Sequence, residues 1–341
     1  MANGRIDITK FIEHLSLVVK SDKKEILQAI FVEDDAIIKD CYTVRGVQIG
    51  MTRVRTIGRV TEVAQPWVKP VFTHKGDIDL KPSGFKQYGH KINTSLYPTD
   101  LIGQYPGLEL WVEDQDLKMQ PFVRWALNEM ILRQLKEDHV TKQLYNGVFV
   151  DHSGDGDGPF AAVDAMNGFQ HFLMNGDALG EHFANVMAAI GELSDDAQTV
   201  YEQLNDAKKL IPEKYRSLPM NLYLAPAKQE LYWEGRIKKI GLLVTNDDPD
   251  RQKISNSKIS LKSSMSMIGT NDFFATVPGN LVRLIDKTGI DQGIEITKDH
   301  YRVDVMSNPY GLGYGFDYME MVWTNIPLGG WGSGSGSGSG S

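Results

Sequence analysis

An α+β fold is what the sequence predicts, with helices in the middle of the chain and strands mostly toward its ends. Three observations carry this reading. Residues 51–104 alternate in strand fashion and are cut by glycine and proline, residues 121–146 repeat apolar side chains at helical spacing, and Met220–Leu224 reads as a buried strand directly before Pro226.

Taken in order, residues 1–50 mix short helical signals with no obvious compact unit. Ser21-Asp22 predicts a helix start before "KKEILQAIF", where Ile26, Leu27, Ile30 and Phe31 fall at helical spacing. "MTRVRTIGRVTEVAQ" then alternates as a strand, and "KPVFTHKGDIDLKPSGFKQYGHKINTSLYP" is a string of short strand-like pieces. Lys69, Lys75, Lys81, Lys86 and Lys91 are spread along this stretch with few large apolar residues between them. Such a two-stranded excursion is marginal alone and needs something to lie against.

The longest helix is expected to begin at Pro121, a residue suited to the first helical position. Val123, Leu127, Met130, Ile131 and Leu135 form its apolar face, opposite Glu129, Arg133 and Lys136, and Asn146-Gly147 gives a stop. At roughly 25 residues it spans about 38 Å. Leu127, Ile131 and Leu135 are expected to be buried between helix and sheet.

"AAVDAMNGFQHFL" and "ALGEHFANVMAAIGEL" read as further helices. Ser194 is the expected cap of another, with Asp195 and Asp196 at its positive end and Ala197, Val200, Tyr201 and Leu204 on one face. A loop, the strand at Met220–Leu224 and a helix from about Pro226 follow. "SKISLKSSMSMIG", "FFATVPGNLVRLID" and "YRVDVMSNPYGLGYGFDYMEMVW" are strand-like, and "GLGYGF" (Gly311 to Phe316) predicts a tight hairpin between two of the strands. The closing "GGWGSGSGSGSGS" cannot bury a core and has the pattern of an added linker.

Composition narrows the function classes. The 341 residues are 41% hydrophobic and 23% charged, ordinary for a globular chain of roughly two domains. A formal net charge of −8 gives a field that repels nucleic acid as a whole, so any contact with DNA or RNA needs a local basic patch. One cysteine, Cys41, excludes an internal disulfide, and without a local nucleophile signature it reads as a small buried residue. The N-terminus "MANGRIDITKF" has no apolar signal region and no run of 18 or more apolar residues occurs, so cytoplasm is the expected setting and no membrane partner is expected.

The stretch richest in chemistry is "DHSGDGDGPF", residues 151–160. As a calcium loop, Asp151, Ser153, Asp155 and Gly156 match the first half of the required pattern, but the twelfth position is Ala162 where a bidentate glutamate is needed. Clustered carboxylates also repel phosphate, and no Walker lysine follows. The expectation is a mobile, solvated turn that takes no calcium. No GxxxxGK[ST], GxGxxG, HExxH or GxSxG pattern occurs. His171 and His182 have no HxxxH partner, and core or surface roles are expected of them. "YWEGRIKKIG", with Arg236, Lys238 and Lys239, reads as a helix with an apolar and a wet basic face more than as a nucleic-acid patch. No cofactor, metal site or catalytic residue is predicted.

The order of elements resembles the tailed-phage major capsid proteins of the Hong Kong 97 fold. Residues 52–98 are similar to that family's E-loop, Pro121 to Asn146 to its spine helix, and about 160–270 to its axial domain, with "IPEKYRSLPMNLYLAPAKQELYWEGRIKK" inside it. "FFATVPGNLVRLID" and "HYRVDVMSNPYGLGYGFDYMEMVW" are similar to its returning and closing strands. The likeness covers about residues 30–325 and is one of element order, with no fixed motif. It implies an N-terminal arm and start of the peripheral domain at 1–50, an extended excursion at 51–104, a peripheral domain with the spine at 105–159, an axial domain at 160–270, return strands at 271–328 and a flexible tail at 329–341.

The resemblance also implies a non-enzymatic subunit that assembles with itself, as hexamers and pentamers, into an icosahedral shell around a phage genome. It implies a place in the virion capsid, with host cytoplasm as the site of assembly. The contact with packaged DNA is loose, and a scaffold or decoration protein is a further partner that the family admits. The five lysines are the expected assembly contacts, meeting acidic groups of a neighbouring subunit. An encapsulin-like nanocompartment or another phage structural protein is the alternative. An enzyme with an unrecognised site would use Asp151, Asp155 and Asp157.

Overall fold

The structure, a computed structural model, describes residues 8–21, 35–46, 48–50, 52–60, 78–101, 104–105, 115–155, 159–241, 252–286, 294–299 and 302–329. Helix α1 (Ile8–Ser21) buries Phe11, Leu15, Val18 and Val19 along one face. Where the sequence predicts a helix start at Ser21, the structure ends one. The Ser21 hydroxyl donates to the carbonyl of Val18 and closes the last turn, and the predicted helix at 22–34 lies outside the described residues. Helix α2 (Ala36–Asp40) is capped by Asp35.

The long helix α3 runs without a break through Gln115–Ala126, Leu127–Leu132, Arg133–Asp138 and His139–Gln143, the second and fourth pieces wound as wider π turns. It begins six residues before Pro121, which sits inside it. Proline lacks the N–H that would bond to the carbonyl of Leu117 and its ring crowds that turn, so its preference for a first position marked a boundary that the helix overrides. Leu127 and Ile131 are buried and Leu135 only partly. The first π turn inserts an extra residue and rotates the apolar face, so burial jumps from Leu132 to His139. Glu129 and Arg133 pair on the wet side at 3.2 Å, and Phe122 meets Phe11 of α1 edge-on at 5.8 Å. Truncating Ile131 to alanine is expected to lower unfolding stability by about 2–5 kcal/mol. An unchanged urea midpoint would show the buried face to be misassigned.

Fourteen strands follow in chain order among the described residues: β1 (Tyr42–Arg45), β2 (Thr52–Val60), β3 (Ile78–Lys86), β4 (Tyr88–His90), β5 (Asn93–Leu96), β6 (Asn185–Val186), β7 (Met220–Leu224), β8 (Ile259–Ser263), β9 (Phe273–Thr276), β10 (Leu281–Asp286), β11 (Ile294–Asp299), β12 (Arg302–Ser307), β13 (Tyr310–Phe316) and β14 (Val322–Thr324). They form sheets of order β1-β10-β13-β4, β11-β12-β5 and β6-β14-β9-β7-β8, and a separate ribbon β2-β3.

The five-stranded sheet is the wall between two cores. All five residues of β7 are buried, as expected of a strand covered on both faces and paired in parallel with β8. Alternation sends Met220, Leu222 and Leu224 toward helices α5 (Ala197–Leu210) and α6 (Pro226–Ile240). Tyr223 goes the other way, into the larger core, and stacks on Phe274 at 4.8 Å. Helix α6 starts where the sequence says, with Pro226 in its first turn, and stops at Gly241, in the left-handed region at φ 71°. Because β9 and β14 belong to this sheet, it draws on residues beyond 270.

Three helix expectations are changed locally. Helix α5 is capped by Asp196, which accepts from the backbone N–H of Thr199 at 2.9 Å. Ser194 sits two residues too early and accepts from the N–H of Asp196 instead. Residues 178–193 are not helical. Gly180 and Gly191 take left-handed backbone at φ 69° and 64°, and the amides of Met187 and Leu193 donate to Thr324 and Asn271 rather than to a helical turn. The helix expected from residue 161 is also shortened to α4 (Phe169–Asn175) after a 3-10 turn at Ala162–Ala165.

Candidate assembly surface at the root of the ribbon

Strands β2 and β3 pair antiparallel from Thr52↔Lys86 to Val60↔Ile78. Arg53, Arg55, Ile57 and Arg59 recur at every second position of β2, and the register pairs Lys81 with Ile57 and Asp79 with Arg59. The sequence reading named the lysines of this region and passed over its arginines, although TRVRTIGR shows the two-residue period. Lys69 and Lys75 lie outside the described residues. Lys81 is placed by register only. Lys91 is exposed between β4 and β5. Lys86 is turned onto its own chain, with Nζ 4.9 Å from the ring centre of Phe149 and 5.3 Å from that of Tyr88. A cation over two aromatic faces is held in place, which fixes the end of the ribbon.

The ribbon's root rests on a strand stripped of side chains. "GLGYGF" is not a hairpin but β13, a fully buried strand between β10 and β4. Gly311, Gly313 and Gly315 share one face by the two-residue period, and a Cβ on each would lie 2.3 Å from the Gln87 side chain, 2.5 Å from the carbonyl oxygen of Lys86 and 2.9 Å from the Phe85 ring. The chain leaving the ribbon therefore lies flat against bare backbone. The opposite face carries Leu312, Tyr314 and Phe316 into the main core. There the Tyr314 hydroxyl lies 2.8 Å from Nε2 of His139, an imidazole that burial pushes down to about 4.

Two further grips hold the root. Phe85 packs with Val282 and Leu284 of β10. Buried Asp177 accepts from the backbone N–H of Gly84 at 3.2 Å and of Glu181 at 3.0 Å, while Ala178 donates to the Gly84 carbonyl at 3.4 Å. The expected excursion also ends earlier than residue 98. Strands β4 and β5 pair with β13 and β12, and Tyr88, Ile92 and Leu96 join the main core, so residues 88–96 belong with that core and not with the ribbon. Sequence polarity hid this because those three side chains are spaced among Gly89, His90, Lys91, Asn93, Thr94 and Ser95.

The acidic glycine loop sits beside this root. Val148 and Val150 donate to the carbonyls of Val163 and Asp164, at 3.0 and 3.1 Å. Asp151 accepts from the backbone N–H of Ser153 at 3.0 Å, which holds its carboxyl below the usual range. Asp157 lies outside the described residues. Among the described residues no group of three or more His, Cys, Asp or Glu side chains is gathered to hold a metal ion, and no helix is long and apolar enough to cross a membrane. His171 neighbours Asn175, and the His182 backbone amide joins the Asp177 turn. Lys238 and Lys239 pair with Glu234 at 2.7 Å and Glu202 at 3.0 Å, and Arg236 stacks over Trp233. Cys41 is half-buried, donates to the Ile37 carbonyl at 3.2 Å, and its thiol is pushed up by burial.

No family model matches the chain, and no curated protein matches its sequence. Among solved structures, a chain of the satellite phage P4 procapsid that includes the size determination (Sid) protein superposes at a TM-score of 0.52, with 14% identity over 92% of both chains. The fold is that of a phage capsid chain. At lower TM-scores stand the capsid of a native GTA particle, 0.47 with 9% identity, covering 85% of this chain and 88% of the other, and a virus-like particle from Pyrococcus furiosus, 0.40 with 11%, covering 90% and 98%. The capsid fold accounts for the element order read from the sequence.

Proposed function

We propose that the chain is a structural subunit that assembles with copies of itself into a capsid shell enclosing a phage genome. The observation that supports this best is the end-to-end correspondence with the P4 procapsid chain, 92% of each. Within this reading β2–β3 is the E-loop of a Hong Kong 97-type subunit, α3 its spine, the α5–α6 core its axial domain, and the sheets around β13 its peripheral domain. The ribbon, whose paired strands carry Arg53, Arg55, Arg59 and Lys81, lies across a neighbouring subunit. Lys69, Lys75 and Lys91 are further contacts. Each copy gives a ribbon and receives one, a head-to-tail arrangement that closes into rings. Charge pairs along it add register and salt sensitivity more than net stability. With the chain at net charge −8, contact with packaged DNA is loose. The chain acts in the virion, after assembly in the host cytoplasm with or without a scaffold or decoration protein, and carries out no catalysis.

The test is an excision that respects the root. Residues 57–81 are replaced by a short Gly/Ser turn joining Thr56 to Pro82, a pair already opposite each other. Electron microscopy and light scattering of the unaltered protein should show shells. The excised protein should stay folded by circular dichroism and remain a free subunit. Normal shells from it would sink the ribbon assignment, and free subunits from the intact chain under all assembly conditions would sink the shell reading itself.

A further inference from the structure

The loop beside the root contains a histidine whose two ring nitrogens both face carboxylates. His152 Nδ1 lies 2.7 Å from Asp155 Oδ2, and Nε2 lies 3.3 Å from Asp164 Oδ2. Its ring is stacked on Phe160, with centroids 4.0 Å apart and planes 6° from parallel. An ionised carboxylate only accepts hydrogen bonds, and a neutral imidazole has a single N–H to give. Both bonds are made together only when the ring carries two protons. The charged groups around it are Asp151 and Asp155 on its own loop, Asp164 on the 3-10 turn, and Lys86 at the end of the ribbon, acting on Asp151. Three carboxylates against one ammonium favour the imidazolium.

We propose that His152 is a proton-operated latch, which as imidazolium ties Asp155 to Asp164 and holds residues 148–155 against residues 159–164, and as the neutral ring releases one carboxylate and loosens them. The closed loop presents Phe149, which lies 4.8 Å from Tyr88 and beneath Lys86, so the latch acts on the grip that fixes the ribbon's end. The hydrogen bonds to Asp155 and then Asp164 hold the His152 titration above the usual imidazole range. The direction follows: the latch contributes fully below the ordinary value of about 6.5 and is lost as pH rises through the raised one. This inference concerns the loop of a single chain and stands whether or not the shell reading holds.

Hydrogen–deuterium exchange on the full chain tests it, from about pH 5 to about pH 8, with rates corrected for the chemical pH dependence of exchange. Protection of the Val148 and Val150 amides should fall with rising pH by the ratio of the closed- and open-loop acid constants, while peptides spanning 220–224 stay level. His152→Gln should abolish the pH dependence, and Asp164→Asn should shrink it and move it to lower pH. Flat protection in the unaltered chain, or a pH dependence kept by His152→Gln, overturns the latch. If His152→Gln loses protection at 220–224 as well, the ring's own NMR titration in the unaltered chain decides. A value at or below that of a free imidazole overturns the proposal, and a raised one that Asp155→Asn lowers supports it.

Discussion

Replacing Gly313 with valine is expected to prevent the four-stranded sheet from closing and to cost more than about 4 kcal/mol, so that little soluble protein is recovered. The first added carbon alone would stand 2.5 Å from the carbonyl oxygen of Lys86 and 3.3 Å from Cα of Gln87. Both are backbone, and β13 is fixed between β10 and β4, so neither side can yield without breaking a ladder. Gly313→Ala, with one carbon, should still fold with a lowered urea midpoint. Gly154 has nothing within 4 Å of its own Cβ position, and Gly154→Ala should unfold like the unaltered chain. A Gly313→Val protein with an unchanged midpoint would mean the ribbon's root does not lie on β13.

The second large effect is expected from Asp35→Ala, about 3–5 kcal/mol in unfolding stability. Asp35 is 3% exposed. Its carboxylate accepts from the Ile37 N–H at 2.8 Å, from the Ser264 hydroxyl at 2.8 and 2.9 Å, and from the Met265 N–H at 2.8 Å. Truncation strands buried donors on two segments more than 220 residues apart. Asp35→Asn keeps one accepting oxygen and should lose less. Equal midpoints for Asp35→Ala and the unaltered chain in urea unfolding would remove this tether from the account. Asp40 makes a second one, accepting from Lys262 at 2.5 Å, from Asn221 at 3.0 Å and from the Tyr223 hydroxyl.

These two sites show where reading the sequence stops. Local chemistry was legible: the helical period from Val123 to Ile131, the apolar strand before Pro226, and the strand alternation that became β2. Signals with two local meanings were misread. Pro121 suits the first position of a helix, but it stands inside one that begins at Gln115. Glycine at every second residue fits a hairpin or a strand pressed against another backbone, and the partner at 85–88 is more than 220 residues away. Residues 178–193 carry helix formers, but their amides are claimed by Thr324 and Asn271, which no window around them contains. At the candidate site the lysines drew attention because they are charged. His152 was passed over because its partner Asp164 lies twelve residues on, across the loop.

Strand β7 gives alternate side chains to the two cores, Leu222 and Leu224 to one and Tyr223 to the other. A force applied to either half of the subunit is thus carried into the other along peptide bonds, with no slip plane of side chains between them. The halves share one elastic element, and straining one strains both. In a shell of the kind proposed, strain collected near α5 and α6 would pass along this strand to Tyr223 and the core around Phe274, so the two cores would deform as one spring and not as two bodies on a hinge.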